Sequence, residues 1–373
     1  MAVRINIFGQ RNQLGGGRHF SGFCDAMKSL TMVKSAIHEF DYFSEGDYKF
    51  ALNTVGADDI NIHFININAV PPGQAPLRWP RLPGKNIHWA IFETTTLSTP
   101  QLDWLRSADL IFVPSAWGKQ VLIQAGFDTE NVCVIPEGVD PNKFHPNLRS
   151  AYQTDGIFRV LVVGKFEARK GFPELLEGYA RAFADDPFCR LVLKSDSPWM
   201  KSLGNGIYEA NREELKSQVK QAGIENVAFV DGDIDDDDMF HLYNNCDVLL
   251  FPSRAEGWGL PLIEAIACGI PVATTYYSGH TEFLAPVRNK VREINHSMVP
   301  VSDNGNAGEW AQATDEDIAA SLLEMRQNIN TYRARALDAS ATIRRNYSWQ
   351  RAAEIGISAL QDRFGIFHLS VDI

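Results

Sequence analysis

No stretch of this 373-residue chain is apolar for long enough to cross a bilayer as a helix. The opening run MAVRINIFGQ is far too short for a secretory leader and reads as a first β-strand. The five cysteines (Cys24, Cys133, Cys189, Cys246 and Cys268) are odd in number, scattered and without a C-x-x-C pair. That excludes a disulfide framework, so we read them as reduced and mostly buried in a cytoplasmic protein. The nine histidines show no H-x-x-x-H or Cys/His ligand spacing, which argues against a zinc site. Basic charge is in short supply as well. The net charge is −11, and nearly all of the excess acidity falls after residue 150. Neither half offers the basic surface that duplex nucleic acid demands, so no stable nucleic-acid partner is expected. Arg11, Arg18, Arg78, Arg81 and Lys85 leave room only for a local basic patch.

What the chain does contain is an alternation of strand-like and helix-like segments, too long for one ordinary core. Strands are expected at residues 4–8, 60–66, 87–92, 110–113 and 132–135, with a glycine loop at Gly15–Gly17 and helices over 20–34 and 117–125. A segment punctuated by proline and glycine near residue 150 reads as a linker. The pattern then restarts, with strands at 158–163, 190–194, 227–230, 248–251 and 272–274 and a helix over 173–183. Such alternation predicts an α/β protein of two doubly wound parallel sheets, assigned to domains 1–150 and 151–348, with ligands in the cleft at the carboxyl ends of the strands. The region 316–364 reads as helical, broken at Asn346–Trp349, where Ser348 is placed to cap a final helix.

The chemistry concentrates in FPSRAEGWGLPLIEAIACGIPVATT, residues 251–275. A buried strand enters a Gly-Trp-Gly turn, and a helix begins near Pro261 with its free N–H groups facing the turn, the geometry of an anion site. Glu256 lies in the loop among glycines, where a carboxylate serves as a ligand group more readily than as packing. Glu264, eight positions on, sits in the first helical turn, where it either complements the helix dipole or binds ligand hydroxyls. An anion site beside hydroxyl-binding carboxylates points to a nucleotide sugar. The loop GKFEARKG (164–171) follows another buried strand, and Lys165 and Lys170 are suited to meet the charge of a diphosphate leaving group without a metal. Gly15–Gly17 sits in a phosphate-compatible context but is neither G-x-G-x-x-G nor a P-loop. The acidic run Asp233–Asp238 could suggest a divalent ion, yet it directly precedes a helical segment and reads as dipole-complementing caps.

With these residues in place, the chain resembles the retaining GT-B glycosyltransferases of family 4. Residues 252–272 match PS-x-x-E-G-x-G-L-P-x-x-E-A-x-A-x-G-x-P-V almost throughout. Looser likenesses follow in order: VPSAWGKQVLIQAGF, VIPEGVDPNKFHP, VVGKFEARKG, SGHTEF and YSWQRAA. The resemblance implies a GT-B fold of two Rossmann-like domains, the first binding the acceptor and the second the nucleotide-sugar donor. The last helix, from about 349, would cross back onto the first domain. Glu264 would hold the ribose hydroxyls and Glu256 the transferred sugar. Backbone N–H groups of Gly257, Trp258, Gly259 and Leu260 would grip sugar and β-phosphate. Lys165 and Lys170 would neutralise the diphosphate, Lys165 standing where relatives often carry arginine. Gly16 and Gly17 would approach the diphosphate from the first domain. Many relatives carry a histidine near the donor sugar, a place for which His88 and Glu93 are the candidates here.

The expectation is therefore a retaining, metal-independent enzyme that moves a hexose-type sugar from a UDP- or GDP-sugar to a saccharide or other acceptor hydroxyl, with no cofactor required. A non-catalytic nucleotide-sugar-binding subunit, a DNA-base glucosyltransferase and a nucleotide-sugar epimerase are the alternatives. Acceptor contacts are expected in loops 10–18, 70–85 and 93–97. The Pro/Trp/Arg-rich stretch at 70–85 is also the candidate for peripheral membrane contact.

Overall fold

The apolar runs become two parallel six-stranded sheets. The computed structural model describes residues 4–12, 15–30, 34–39, 45–66, 81–147, 155–195, 207–232, 234–301 and 307–365. The first sheet runs β2 (Lys34–Glu39), β1 (Arg4–Gly9), β3 (Ile60–Asn66), β4 (Lys85–Ile91), β5 (Leu110–Val113) and β6 (Val132–Val134). The second runs β12 (Arg292–Glu293), β11 (Val272–Thr274), β10 (Val248–Phe251), β7 (Phe158–Val163), β8 (Cys189–Lys194) and β9 (Val227–Phe229). In the second sheet the chain winds outward from β7 in one direction and then from β10 in the other. β7 and β10 are therefore neighbours whose following loops part to opposite faces, the switch point where ligands bind in such folds. Val160–Val163 of β7 and Val248–Phe251 of β10 are continuous Val, Leu and Phe because helices cover both faces.

In the first half these helices are α1 (Gly15–Ser29), α2 (Glu45–Thr54), α3 (Thr99–Arg106) and α4 (Ala116–Gln124). In the second half they are α5 (Phe172–Phe183), α6 (Ile207–Gln221), α7 (Asp236–Asn244), α8 (Leu260–Ala267), the single turn α9 (Thr281–Leu284), α10 (Asp315–Gln327) and α11 (Ile329–Asn346). The last helix, α12 (Trp349–Phe364), returns to the first sheet, where Ala352, Ala353, Ile357 and Leu360 are buried in the same cluster as Ile5, Ile7, Phe23 and Trp89. Its start is tightly held: the Val139 amide donates to the Tyr347 carbonyl at 3.0 Å, and a side chain at Gly138 would lie 2.1 Å from the Trp349 nitrogen. Ser348 caps α12 by accepting from the Arg351 amide at 3.1 Å. Ser348→Ala is expected to cost about 1 kcal/mol, seen as a lower urea midpoint at unchanged m-value. An unmoved midpoint would mean that Trp349 packing alone positions the helix.

Three expectations are corrected. The glycine loop does not precede a helix at residue 20; Gly15–Gly17 form the first turn of α1, which ends at Ser29, and Lys34 already belongs to β2. β2 and α2 lack strong apolar periodicity and were not anticipated, nor was the antiparallel hairpin β13 (Ser297–Pro300) and β14 (Glu309–Gln312). The C-terminal helical region breaks a second time, at Asn328. The centre of the expected linker at 148–154, the proline-rich stretch 67–80 with Arg78, and Asp233 lie outside the described residues. No described helix is long and apolar enough to cross a membrane.

Candidate functional site

The loops leaving β1, β4, β7 and β10 meet across the two sheets. Loop β10–α8 brings in Glu256, 5% exposed, and loop β7–α5 brings in Arg169 and Lys170 beside it. Lys170 Nζ lies 2.5 Å from Glu256 Oε1, and Arg169 reaches Glu256 Oε2 at 2.8 Å. Ser253 Oγ also donates to Glu256 Oε1. The backbone of Glu256 is pinned from the other side, since its amide donates to Ser278 Oγ at 2.8 Å and its carbonyl accepts from Gly279 at 2.9 Å. Ser278 adopts a left-handed φ of 65°, the only non-glycine among the described residues to do so. This is a strained conformation of the kind that persists where surrounding contacts enforce it. Gly279 has to be glycine, because a Cβ there would lie 1.9 Å from the Gly257 carbonyl oxygen.

Burial alone would push the Glu256 carboxyl up, but Arg169 and Lys170, with hydrogen bonds from Lys170 and Ser253, outweigh it and hold it down at about 2. Burial pulls the Lys170 ammonium below its ordinary value despite Glu256, while Arg169, desolvated but facing Glu256, Glu93 and Glu167, is raised. Glu93, just past β4, lies 3.2 Å from Arg169, so the two sheets contribute to one charge cluster. Lys165 is more exposed and pairs with Glu167 at 3.1 Å.

Glu264 lies one turn into α8 rather than in its first turn as expected; it is 2% exposed, accepts from Tyr243 Oη at 2.9 Å and lies 2.7 Å from an Arg18 nitrogen. Burial raises its carboxyl despite Arg18 and Tyr243. Arg18 comes from α1 of the first sheet, directly after Gly16 and Gly17, and also pairs with Asp236 at 2.9 Å. The turn between the two glutamates packs closely: a Cβ on Gly257 would lie 2.5 Å from Ile91, and Gly259 takes φ 102° as the residue before α8. Leu260 opens that helix, and the Trp258 ring is buried against Phe283 and Tyr347 rather than turned to the cleft.

His88 lies in the core of the first sheet, stacked on Trp104 with ring centroids 3.9 Å apart, and burial with His63 nearby holds it well below the ordinary imidazole value. Of the two candidates for a first-domain group near the donor, only Glu93 joins the cluster. In the acidic run, Asp235 caps α7 by accepting from the Asp238 amide at 2.8 Å. Asp236 instead pairs with Arg18 and with Lys143 at 2.7 Å. Three members of the anticipated basic patch are neutralised: Arg11 pairs with Asp25 and Glu39, Arg18 with Glu264 and Asp236, and Arg81 with Asp109, while the Lys85 ammonium lies 5.8 Å from the Phe364 ring centroid. Sequence reasoning missed Arg169, Tyr243, Ser253 and Ser278. Arg169, Ser253 and Ser278 stood inside segments already singled out, yet nothing in their spacing distinguished them from ordinary loop residues.

Residues 119–355 match the family described as Family 4 Glycosyltransferase in conflict systems. The chain is 29% identical over 182 residues to mannosylfructose-phosphate synthase of Agrobacterium fabrum, covering 47% of this chain and 39% of that protein. It is 26% identical over 277 residues to a D-inositol 3-phosphate glycosyltransferase of Pseudarthrobacter chlorophenolicus, covering 71% and 57%. The chain thus spans about half the length of the curated relatives it matches. Among solved structures, Anabaena Alr3699/HepE in complex with UDP and glucose superposes with a TM-score of 0.68 at 16% identity, covering 96% of this chain and 100% of that one. Sucrose-phosphate synthase of Thermosynechococcus elongatus gives 0.72 at 16% identity, covering 97% and 99%. At these identities the superpositions speak to the fold, which is GT-B. The family match spans the loops that carry Lys165, Arg169, Lys170, Glu256 and Glu264, and the chain belongs to the family 4 glycosyltransferases of conflict systems.

Proposed function

We propose that this protein transfers a hexose-type sugar from a UDP- or GDP-sugar to an acceptor hydroxyl, with retention of anomeric configuration and without a catalytic metal. The observation that carries the reading is the pairing of two buried carboxylates, Glu256 and Glu264, on one strand–turn–helix with the Arg169/Lys170 cations on the neighbouring strand's loop. Diphosphate departure leaves negative charge on the leaving group. Lys165, Lys170 and the backbone N–H groups of the Gly257–Leu260 turn can meet that charge, which is the role a divalent ion plays elsewhere. In this reading Glu264 exchanges its Arg18 contact for the ribose hydroxyls. Glu256 accepts hydrogen bonds from the hexose, and Gly16 and Gly17 let the first sheet approach the diphosphate. The second half then binds donor and the first half acceptor. The similar HepE structure holds UDP and glucose, which supports a nucleotide-sugar donor. A curated relative named as GDP-mannose-dependent keeps GDP-sugars in the same class. Lys170 and Glu256 are both present and paired, which favours an enzyme over a non-catalytic subunit.

The test is a panel of UDP- and GDP-sugars screened for thermal stabilisation, then for donor hydrolysis and transfer, with the product anomer read by NMR and turnover repeated in EDTA. A ligand at a hundred times its Kd stabilises by about 2.7 kcal/mol, enough to see. Lys170→Ala is expected to lower turnover or donor affinity by about one to two orders of magnitude. Wild-type turnover and affinity in that variant would remove Lys170 from the site. Absence of stabilisation by every nucleotide sugar would overturn the function itself.

A further inference from the structure

We propose that Arg169 is a positioning residue, holding Glu93 of the first sheet and Glu256 of the second at a fixed relation on either side of the reacting sugar. The inference rests on the function proposed above and extends it to a residue outside the donor-binding set. The guanidinium spans the cleft: one nitrogen lies 3.2 Å from Glu93 Oε1, and the other lies 2.8 Å from Glu256 Oε2 while donating to the Ala255 carbonyl at 2.7 Å. A planar fork can address two carboxylates along separate edges, which an ammonium cannot do with the same geometry.

Both ends of the bridge are anchored. The Arg169 carbonyl accepts from the Arg254 amide at 2.8 Å, tying its loop to the one that carries Glu256. On the other side, Trp310 Nε1 donates to the Glu93 carbonyl at 2.7 Å, and the Glu309 amide donates to Thr95 Oγ1 at 3.0 Å. The hairpin of the second half therefore fixes the segment after β4, and Arg169 joins the side chains across the remaining gap. Lys170 and Ser253 still hold Glu256 when Arg169 is removed. Glu93 and Glu256 would then face each other with one cation fewer between them, and like charge would drive them apart. The other charged groups facing this pair are Lys170 and Glu167 on the β7–α5 loop, and His280 at the start of α9.

The experiment compares wild type, Arg169→Met and Arg169→Lys. It measures kcat and KM for the active donor, Kd for UDP and GDP by calorimetry, and the pH dependence of kcat. Arg169→Met is expected to lower kcat by about a hundredfold, the scale of a misplaced reacting group, with nucleotide affinity retained. Its acid limb should move to higher pH, because the Glu256 carboxylate loses a neighbouring cation. Arg169→Lys should restore part of kcat. A fall in nucleotide affinity with kcat unchanged would overturn the inference by making Arg169 a donor-binding group. Equal losses in both variants with no movement of the acid limb would overturn it by making Arg169 merely structural. A readout independent of turnover is the titration of the Glu256 carboxyl in ¹³C-glutamate-labelled protein, assigned with Glu256→Gln. The Glu256 carboxyl should titrate higher in Arg169→Met, and an unchanged titration would sink the inference even in an active enzyme. Wild-type protein that turns over no donor, with the shift still present, would instead count against the proposed function alone.

Discussion

Glu256→Ala is expected to reduce sugar transfer by about two to three orders of magnitude, the scale of losing a group that acts in the transition state. The variant also leaves Arg169 and Lys170 buried without their shared carboxylate, and breaking such a pair costs about 3–5 kcal/mol of stability. A fall in activity from partial unfolding has to be separated from one of chemistry. Glu256→Gln serves that purpose, since it keeps the volume and can still accept hydrogen bonds from Lys170 and Ser253. If the glutamine variant folds as wild type and transfers sugar at the wild-type rate, the Glu256 carboxylate has no part in the reaction.

The second large effect is acid unfolding at an unusually high pH. Burial lowers His19 to about 3, His63 to about 4 and His280 to about 4, and it holds His88 well below the ordinary value. Their ordinary value is 6.5, so below that pH the unfolded chain takes up four protons that the folded chain refuses. Stability therefore falls as pH falls. Two carboxyls act in the opposite sense. Glu137, packed 3.5 Å from His19, is pushed well above its ordinary value by burial, and Glu264 is raised as well. Folded protein holds those protons above pH 4.5 and regains up to two. The net difference near pH 5.5 is about two protons, a loss of about 2–3 kcal/mol per pH unit. Below pH 4.5 Glu256, held at about 2, adds to the loss as its unfolded form is protonated. Urea midpoints between pH 7 and 5 check this: a steep fall is expected, and midpoints constant across that range would contradict it.

The carboxylate-bearing turn is legible in the sequence because its parts are local. A buried strand, a glycine turn, a helix start and two glutamates occupy 251–275, and their geometry follows from backbone preferences over a few residues. The switch point is legible in kind, since alternating strands and helices admit few topologies. β2, α2 and the β13–β14 hairpin are not, because short half-exposed or polar elements lack a period to detect. His88 and Glu93 look equivalent as candidates, being five residues apart on one segment. The register of β4 turns His88 into the core against Trp104, whereas Glu93 emerges past the strand's end into the cleft.

Hydrophobic period and nearby turn chemistry are enough to set the two-sheet architecture, the carboxylate-bearing turn and the cationic loop. That Arg169 bridges Glu93 and Glu256, and that Arg18 reaches across to Glu264, follows from long-range packing. Arg169 and Glu93 are separated by 76 positions and Arg18 and Glu264 by 246, and both pairs are brought together by the packing of one sheet against the other. No short-range preference encodes a contact of that kind. It exists because buried charge has to find a counter-charge wherever the fold supplies one.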